Sequence, residues 1–360
     1  RPEEDGTYSK RTKYGLIGVI IHEVGHNYFP MVVNSDERQW TWMDEGLNTF
    51  VQYLAEQEWE DEYPSRRGEP RNIVEYMSST NQVPIMTNSE SLLQFGNNAY
   101  AKPATALNVL RETVMGRDLF DFAFREYAQR WMFRHPRPAD FFRTMEDASG
   151  VDLDWFFRGW FYTTDHCDLS IEGLSQFVLD NGDPYVMKGR DREERDGKPE
   201  TLSARRNRDM PKRTDRFPEL LDFYNEFDDL DVTEKDREAY EEFLEDLDDE
   251  EKSLLGLELN FYKVDLRNHG GLVMPVILEI AYEDGTIEER RFPAEVWRQN
   301  SEETATLIIT PRTISTITLD PHEETADVDT HNNVFPRQQT RTRFEMFKEK
   351  RSKNPMQDRD

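Results

Sequence analysis

The sequence contains almost no cysteine and no long hydrophobic run. Cys167 is the single cysteine in 360 residues, so no disulfide can form within the chain and the redox compartment stays undetermined. No run of about 18 apolar residues occurs, and we therefore predict no transmembrane helix in this sequence.

Positive charge is scarce relative to negative charge. The chain has 45 Lys and Arg residues against 73 Asp and Glu residues, which gives a formal net charge of −28. A general nucleic-acid binder needs positive surface along the phosphate backbone, so this balance argues against nucleic acid as a partner. With 36% hydrophobic and 12% aromatic residues, the chain should nevertheless be largely globular.

Apolar residues recur at helical spacing through the first part of the chain. The predicted helices are residues 14–33, which Pro30 distorts or ends, and residues 42–57, 103–114, 119–132, 138–148 and 153–162. Gly116 and Gly150 are expected to terminate two of them. We therefore predict a mostly helical region over residues 1–168.

Charge and periodicity change after residue 168. Residues 188–216 have 11 basic and seven acidic residues and few apolar ones, which predicts an extended, charged loop or linker. Residues 217–256 include the stretch Glu219–Glu251, with 17 acidic and two basic residues, whose apolar spacing predicts an acidic helical insertion.

The C-terminal part carries the pattern of β-strands. Residues 257–265, 272–282, 286–292 and 306–319 alternate as strands do, and Asp284-Gly285 predicts a hairpin. These patterns predict an α+β fold in which a β-rich C-terminal domain with antiparallel strands covers residues 169–337. Residues 338–360 are polar and rich in Arg and Lys, and we expect a terminal helix or tail there.

Candidate chemistry is concentrated in residues 22–26, which read His-Glu-Val-Gly-His. On a helix, His22 and His26 are four residues apart and share one face, so both imidazoles can reach one metal ion. Glu23 lies beside them, where a carboxylate can take a proton from a metal-bound water. A random match to this pattern somewhere in the chain has odds of roughly 1 in 70. The alternative is a structural role, which is the commoner one for a single histidine on an apolar helix.

Glu45 supplies a third candidate ligand. It follows His26 after 18 residues and opens the next predicted helix. Hydrolytic zinc sites usually have three protein ligands and one open position for water, and requiring Glu at this spacing lowers the odds of chance about tenfold further. The pattern therefore predicts one zinc ion, with His22, His26 and Glu45 as its ligands.

This arrangement resembles the gluzincin zinc aminopeptidases of the alanyl aminopeptidase type. The shared pattern is H-E-x-x-H, then 18 residues, then Glu within Trp42-Met43-Asp44-Glu45-Gly46. A second match is Tyr100-Ala101-Lys102-Pro103, where the family has Tyr-x-Lys-Gly. The resemblance covers approximately residues 10–170 and implies a thermolysin-like catalytic region that hydrolyses peptide bonds.

The resemblance implies a role for each matched residue. Zinc activates a water molecule, Glu23 acts as the general base, and Tyr100 donates a hydrogen bond to the oxyanion. Further side chains should orient the imidazoles, and Asp44 and Thr49 are the candidates.

The sequence also departs from the family pattern. Asn27-Tyr28-Phe29-Pro30 stands where Gln-Trp-Phe-Gly is commoner, Asp44 replaces the usual Asn, and Pro103 replaces a Gly. These changes indicate a divergent branch, because the ligands and the base are intact. The family's G-A-M-E-N segment, which anchors the α-amine of the substrate, has no counterpart in residues 1–21. We therefore expect this chain to be the C-terminal part of a longer protein.

Three functions remain open on the sequence alone. The first is a zinc aminopeptidase acting on peptide substrates, and the second is a gluzincin endopeptidase that lacks an amine anchor. The third is a non-catalytic binding protein on a peptidase fold, which predicts loss of a ligand or of Glu23, yet all are present. The resemblance implies a periplasmic or secreted location and leaves the cytoplasm open, and the sequence does not indicate an oligomeric state.

Overall fold

A computed structural model describes residues 6–178, 182–255 and 259–337, so the predicted tail 338–360 lies outside the described residues. The α-helices are α1 (Lys10–Gly25), α2 (Leu47–Trp59), α3 (Val74–Met77), α4 (Lys102–Val109), α5 (Arg117–Arg130), α6 (Pro138–Ser149), α7 (Asp154–Phe157), α8 (Pro184–Gly197), α9 (Leu202–Arg206), α10 (Arg213–Arg216), α11 (Phe223–Glu226), α12 (Glu234–Asp246) and α13 (Asp249–Leu255). Wider π-type turns are Asn27–Val32, Trp42–Gly46, Gly96–Ala101, Leu110–Met115 and Arg158–Tyr162. Shorter 3₁₀ turns are Pro70–Asn72, Ser89–Ser91, Pro218–Leu220, Ala294–Trp297 and Thr330–Asn332. The strands are β1 (Leu169–Val178), β2 (Asn260–Asn268), β3 (Val276–Tyr282), β4 (Ile287–Phe292), β5 (Glu303–Thr310), β6 (Ile314–Leu319) and β7 (Val334–Phe335).

Local sequence signals set the ends of the main helices. The Ser9 side chain accepts a hydrogen bond from the Thr12 backbone N–H and caps the start of α1. Regular α-helix ends at Gly25, and Phe29 before Pro30 has an extended backbone with φ −116° and ψ 109°. Gly150 ends α6 in the left-handed conformation, as predicted.

The strands form two sheets, which together with the helices give an α+β fold, as predicted. One sheet has the order β1-β2-β5 and the other has the order β4-β3-β6-β7. The predicted hairpin at Asp284-Gly285 is confirmed, because β3 and β4 pair antiparallel with Ala281 opposite Ile287. Gly285 has a φ of +83°, which a side chain would disfavour. The predicted strand 306–319 is two strands, since the chain turns between β5 and β6.

The chain divides into two compact units. The first takes in the described parts of Arg1–Ser175, Tyr262–Ile308 and Arg312–Asp360, and the second takes in those of Gln176–Phe261 and Ile309–Pro311. This division differs from the boundary expected at residue 168, because most strands belong to the same unit as the helical region. The helical region packs closely against the segment before β3. A Cβ placed on Gly159 would lie only 2.5 Å from the Cδ1 atom of Leu272.

Aromatic side chains fill the core of the first unit. Phe141 is fully buried, and its ring contacts those of Trp42, Tyr127 and Phe157. This core fixes α5 and α6 behind the segments that carry the candidate ligands.

Charged segments of the second unit are more helical than predicted. Residues 188–216 contain most of α8 together with α9 and α10, so the expectation of an extended linker there was wrong. Lys188 and Arg195 of α8 form ion pairs with Asp236 and Asp228 of the acidic segment. These pairs join charged residues that are far apart in sequence, which composition does not reveal.

One face of α1 is apolar and exposed. Leu16, Val19, Ile20 and Val24 keep between 53% and 63% of their accessible surface. Among the described residues, no helix is both long enough and apolar enough to cross a bilayer.

Candidate metal centre

The candidate ligands lie where α1 meets the start of α2. Asn48 of α2 is almost fully buried and donates a hydrogen bond of 2.8 Å from Nδ2 to the His22 carbonyl. Gly25 permits this approach, because a Cβ there would lie 2.0 Å from Asn48 Oδ1. The last turn of α1 is thereby brought against the segment that carries Glu45.

The three predicted ligands come together. His22 Nε2 lies 3.1 Å from Glu45 Oε2, and His26 Nε2 lies 3.4 Å from the same oxygen. The two Nε2 atoms are 3.1 Å apart. All three side chains are partly buried, and each offers a ligand atom within 4.8 Å of the others.

The outer nitrogen of each imidazole has an acceptor. His22 Nδ1 lies 2.9 Å from Gln52 Oε1, and His26 Nδ1 lies 2.9 Å from the Phe29 carbonyl oxygen. Each of these oxygens accepts a hydrogen bond from Nδ1–H, so the neutral tautomer carries its hydrogen on Nδ1. Both Nε2 atoms are consequently left with lone pairs.

This arrangement of donors fits a metal cation. Two imidazole lone pairs and a carboxylate oxygen at these separations repel one another unless a positive charge lies among them. Ligands at about 2.0–2.1 Å from a tetrahedral zinc ion are roughly 3.3 Å apart. The three separations of 3.1, 3.1 and 3.4 Å match that spacing. His22, His26 and Glu45 are therefore a suitable donor set for zinc.

Asp44 and Thr49 were the side chains expected to orient the imidazoles, and only Asp44 lies close to one. Asp44 Oδ1 lies 3.1 Å from His26 Nδ1, although the angles favour the Phe29 carbonyl as the acceptor. Burial, followed by the negative charges of Glu45 and Glu37, raises the pKa of Asp44. Thr49 contacts neither imidazole through a hydrogen bond, and its buried hydroxyl has no partner among the described residues.

Sequence reasoning missed Gln52 and the Phe29 carbonyl. Gln52 lies seven residues after Glu45, two turns along α2, so the 3.6-residue period could have placed it on the same face. The Phe29 carbonyl carries no side-chain signal, and only the departure from helix before Pro30 hinted that it would be free.

Tyr100 and Glu23 flank the three ligands. The Tyr100 ring stacks on the His22 ring with centroids 5.7 Å apart, and its hydroxyl interacts with the Glu45 carboxylate. Burial and that carboxylate raise the pKa of Tyr100, so its hydroxyl keeps its proton at neutral pH. Glu23 is exposed on α1 beside His22, where incoming molecules can reach it.

Comparison with known proteins gives a family match over this region. The Peptidase family M1 domain matches residues 3–160. Glutamyl aminopeptidase from Bos taurus is 24% identical over 192 residues, which are 50% of this chain and 20% of that protein. Probable aminopeptidase 1 from Sulfurisphaera tokodaii is 26% identical over 164 residues, 43% of this chain and 21% of that protein. The chain thus spans about a fifth of the length of these relatives.

A similar solved structure is that of aminopeptidase A from Legionella pneumophila, with a TM-score of 0.45 and 12% sequence identity. The similarity covers 81% of this chain and 24% of that chain. The family match at residues 3–160 includes the five residues His22, Glu23, His26, Glu45 and Tyr100 that the motif comparison singled out. The match over residues 3–160 agrees with the resemblance that the motifs of this chain indicate, and it shows similarity to peptidase family M1.

Proposed function

We propose that this chain carries the catalytic centre of a zinc-dependent metallopeptidase that acts as an aminopeptidase on peptides. The observation that carries this proposal is the cluster of two bare imidazole nitrogens and one carboxylate oxygen within 3.4 Å of one another. The matched relatives are named aminopeptidases, which favours removal of N-terminal residues over internal cleavage.

One zinc ion is proposed, held by His22, His26 and Glu45. When bound, such an ion acts as a Lewis acid toward the scissile carbonyl and lowers the pKa of a coordinated water. The protein offers three ligands, which would leave room for that water. The outer contacts of His22 and His26 fix the ring orientation that this geometry needs.

Glu23 is proposed to move the proton. Its carboxylate lies one residue beyond His22, and its exposure lets it reach a water on the open side of the site. It would accept a proton from the attacking water and deliver it to the leaving amine. Tyr100 would donate a hydrogen bond to the carbonyl oxygen as negative charge develops there.

The finer features of the fold belong to the same proposal. We propose that residues 1–168 form a thermolysin-like catalytic region and that residues 217–256 are an acidic helical insertion in the C-terminal part. The helices α11, α12 and α13 lie in this acidic stretch, in agreement with its helical character.

The Glu23→Gln variant tests the mechanism. We expect it to keep zinc binding, because the ligands are unchanged, and to lower kcat by about 10²–10⁴-fold on aminoacyl arylamides, because the proton acceptor is lost. Zinc content by atomic absorption and turnover on free and N-acetylated peptides are the measurements.

The matched control is Glu58→Gln, an exposed glutamate on α2, which should behave as the unmodified chain does. Turnover of the Glu23→Gln protein close to that of the unmodified chain would refute the proposed role. Equal cleavage of free and N-acetylated peptides would instead favour an endopeptidase.

A further inference from the structure

Arg67 is a half-buried guanidinium beside the candidate site. Its guanidinium carbon lies 4.4 Å from the centre of the Tyr100 ring. Across the described part of the chain it forms neither an ion pair nor a hydrogen bond with another residue. Burial lowers the pKa of Arg67, yet a guanidinium remains charged at neutral pH. A partly desolvated cation that no carboxylate contacts directly is costly unless a ligand supplies that contact.

The backbone around Arg67 is fixed by close packing. Gly68 has a φ of +102°, and a Cβ there would lie 2.5 Å from the Tyr53 ring. The Gly68 carbonyl accepts a hydrogen bond of 3.0 Å from Asn108 Nδ2 in the buried helix α4. The position of Arg67 is thus set by the fold rather than by a flexible surface loop.

Arg67 also lines a groove between α1 and α2, which we call the α1–α2 groove. The groove has a volume of about 580 Å³, and its charged lining residues are Lys10, Arg11, Glu56, Glu62, Arg66 and Arg67. Both oxygens of Glu56 already accept hydrogen bonds, from Gln52 and from Ser65. The four cations outnumber Glu56 and Glu62, and none of the four has an ion pair among the described residues, so the groove favours an anionic ligand.

The groove adjoins the reacting groups of the proposed mechanism. Gln52 lines the groove and also contacts His22, and Arg67 lies over the ring of Tyr100. One residue of extended peptide spans about 3.5 Å. An anionic group bound by Arg67 would therefore belong to a substrate residue one or two positions from the carbonyl that Tyr100 contacts.

We propose that Arg67 binds a carboxylate of the peptide substrate, with the other cations of the α1–α2 groove adding long-range attraction; this rests on the proposed peptidase function. A guanidinium offers two parallel N–H donors that match a carboxylate. The carboxylate can come from an acidic side chain next to the scissile bond or from the C-terminus of a short peptide. Both sources present the same group to Arg67.

Binding measured without turnover separates these sources. The protein is the zinc-loaded full chain with Glu23→Gln, and the probes are Glu-Ala-Ala-amide, Ala-Glu-Ala-amide, Ala-Ala-Ala and Ala-Ala-Ala-amide. The last has no carboxylate, and each of the others has one at a single place. We expect Arg67→Met to weaken the preferred carboxylate peptide by about tenfold or more and Ala-Ala-Ala-amide by less than twofold, by calorimetry.

Variants at two positions complete the experiment. Arg67→Lys keeps the charge without the two-pronged geometry and should recover part of the preference. Arg71→Met removes an exposed arginine outside the groove and should change nothing. Unchanged melting temperature and zinc content show that the variants remain folded.

The outcomes are decisive in both directions. Loss of preference for an acidic side chain, or for the free C-terminus, supports the proposal and identifies the source. An equal change for all four peptides would mean that Arg67 only supports the Tyr100 ring, and this result overturns the proposal. The proposal is also overturned if the protein before substitution of Arg67 binds no carboxylate peptide more tightly than Ala-Ala-Ala-amide. If the unmodified chain hydrolyses none of the free peptides, the proposed function fails, while the binding result still decides the role of Arg67.

Discussion

At the scale of single residues, the orientation of His22 depends on a chain of polar side chains. Gln52 Nε2 donates a hydrogen bond of 2.8 Å to Glu56 Oε1, and the other Glu56 oxygen accepts one of 2.7 Å from Ser65. An ionised carboxylate only accepts hydrogen bonds, so Gln52 must turn its NH₂ group toward Glu56. Its carbonyl oxygen then faces His22 Nδ1, which leaves Nε2 free for a metal.

This chain of hydrogen bonds predicts a test on metal binding. With Glu56→Gln, the amide of Gln52 and the introduced amide can each turn either their oxygen or their NH₂ group toward the other. His22 then loses its fixed acceptor, so zinc affinity should fall by about tenfold. The exchanged pair Gln52→Glu with Glu56→Gln restores an anchored acceptor and should recover most of the affinity. Competition with a chelator measures zinc affinity, with Glu58→Gln as the control. An exchanged pair that binds zinc no better than Glu56→Gln would show that the chain does not orient His22.

Tyr100 allows a second prediction at this scale. Tyr100→Phe removes only the hydroxyl and keeps the ring that stacks on His22. We expect kcat to fall by about 10²–10³-fold with zinc content unchanged, since a donor to the oxyanion is lost. The exposed Tyr162→Phe serves as the control in the same arylamide assay. A loss of zinc from Tyr100→Phe would instead indicate a structural role.

The sequence predicted which residues would form the candidate site but not all of their supports. His22 and His26 follow from the period of one helix, and Glu45 follows from a family spacing. Thr49 was expected to support an imidazole because it lies one turn beyond Glu45, yet the support comes from Gln52. The choice depends on how α1 and α2 are rotated against each other, which single-chain periodicity cannot specify.

At the scale of elements, two glycines let α1 and α2 approach closely. A Cβ on Gly18 would lie 3.0 Å from Glu56 Oε1, and one on Gly25 would meet Asn48 still more closely. These glycines are two turns apart on α1 and therefore lie on the same face. The close approach brings His22 and His26 within reach of Glu45.

This packing predicts opposite effects for two substitutions in one helix. Gly25→Ala should lower the free energy of unfolding by about 1–3 kcal/mol, because the methyl group collides with buried Asn48. Gly15→Ala should raise it by about 0.5–1 kcal/mol, because nothing lies within 4 Å of its added Cβ and alanine favours helix. Urea unfolding measures both values. Equal values for the two variants would contradict the role given to Gly25.

Elements were predicted best where packing and local pattern agree. The helices α5 and α6 appear close to their predicted limits, because amphipathic spacing and glycine ends both act locally. Strand β1 was missed, although Leu169 and Ile171 are buried, since its polar outer residues resemble a loop. Helix α8 was missed because ion pairs with distant acidic residues, rather than an apolar face, accompany it.

At the scale of the whole chain, Asp327 joins segments that are far apart in sequence. Its carboxylate accepts hydrogen bonds from the backbone N–H groups of Leu169 and Asp329 at 3.2 and 3.0 Å. Val328 N–H donates to the Cys167 carbonyl beside it. The start of β1 is thereby fastened to the segment that precedes β7. Burial raises the pKa of Asp327 to about 7.

The raised pKa predicts how stability depends on pH. In the unfolded chain this carboxyl group loses its proton near its ordinary pKa of 3.8, whereas in the folded chain it keeps it to about pH 7. The contribution of Asp327 to stability is therefore complete below pH 3.8 and decreases as the pH rises toward 7. Asp327→Asn cannot ionise, so the stability of this variant relative to the unmodified chain should rise between pH 4 and pH 7.

Urea unfolding at several pH values measures this difference, and the exposed Asp61→Asn is the control. A difference that stays constant across the window would rule out the linkage. Other buried carboxyl groups titrate in both proteins, so the comparison isolates Asp327.

The two histidines differ in how mutation can affect them. The acceptor for His26 is the main-chain carbonyl of Phe29, which every residue type at that position would supply. The acceptor for His22 is a side chain, and many single codon changes at Gln52 would remove it. A substitution at Phe29 that keeps the extended backbone before Pro30 would therefore leave the contact to His26 in place. At the candidate metal site, the support of His26 is thus less sensitive to side-chain substitution than the support of His22.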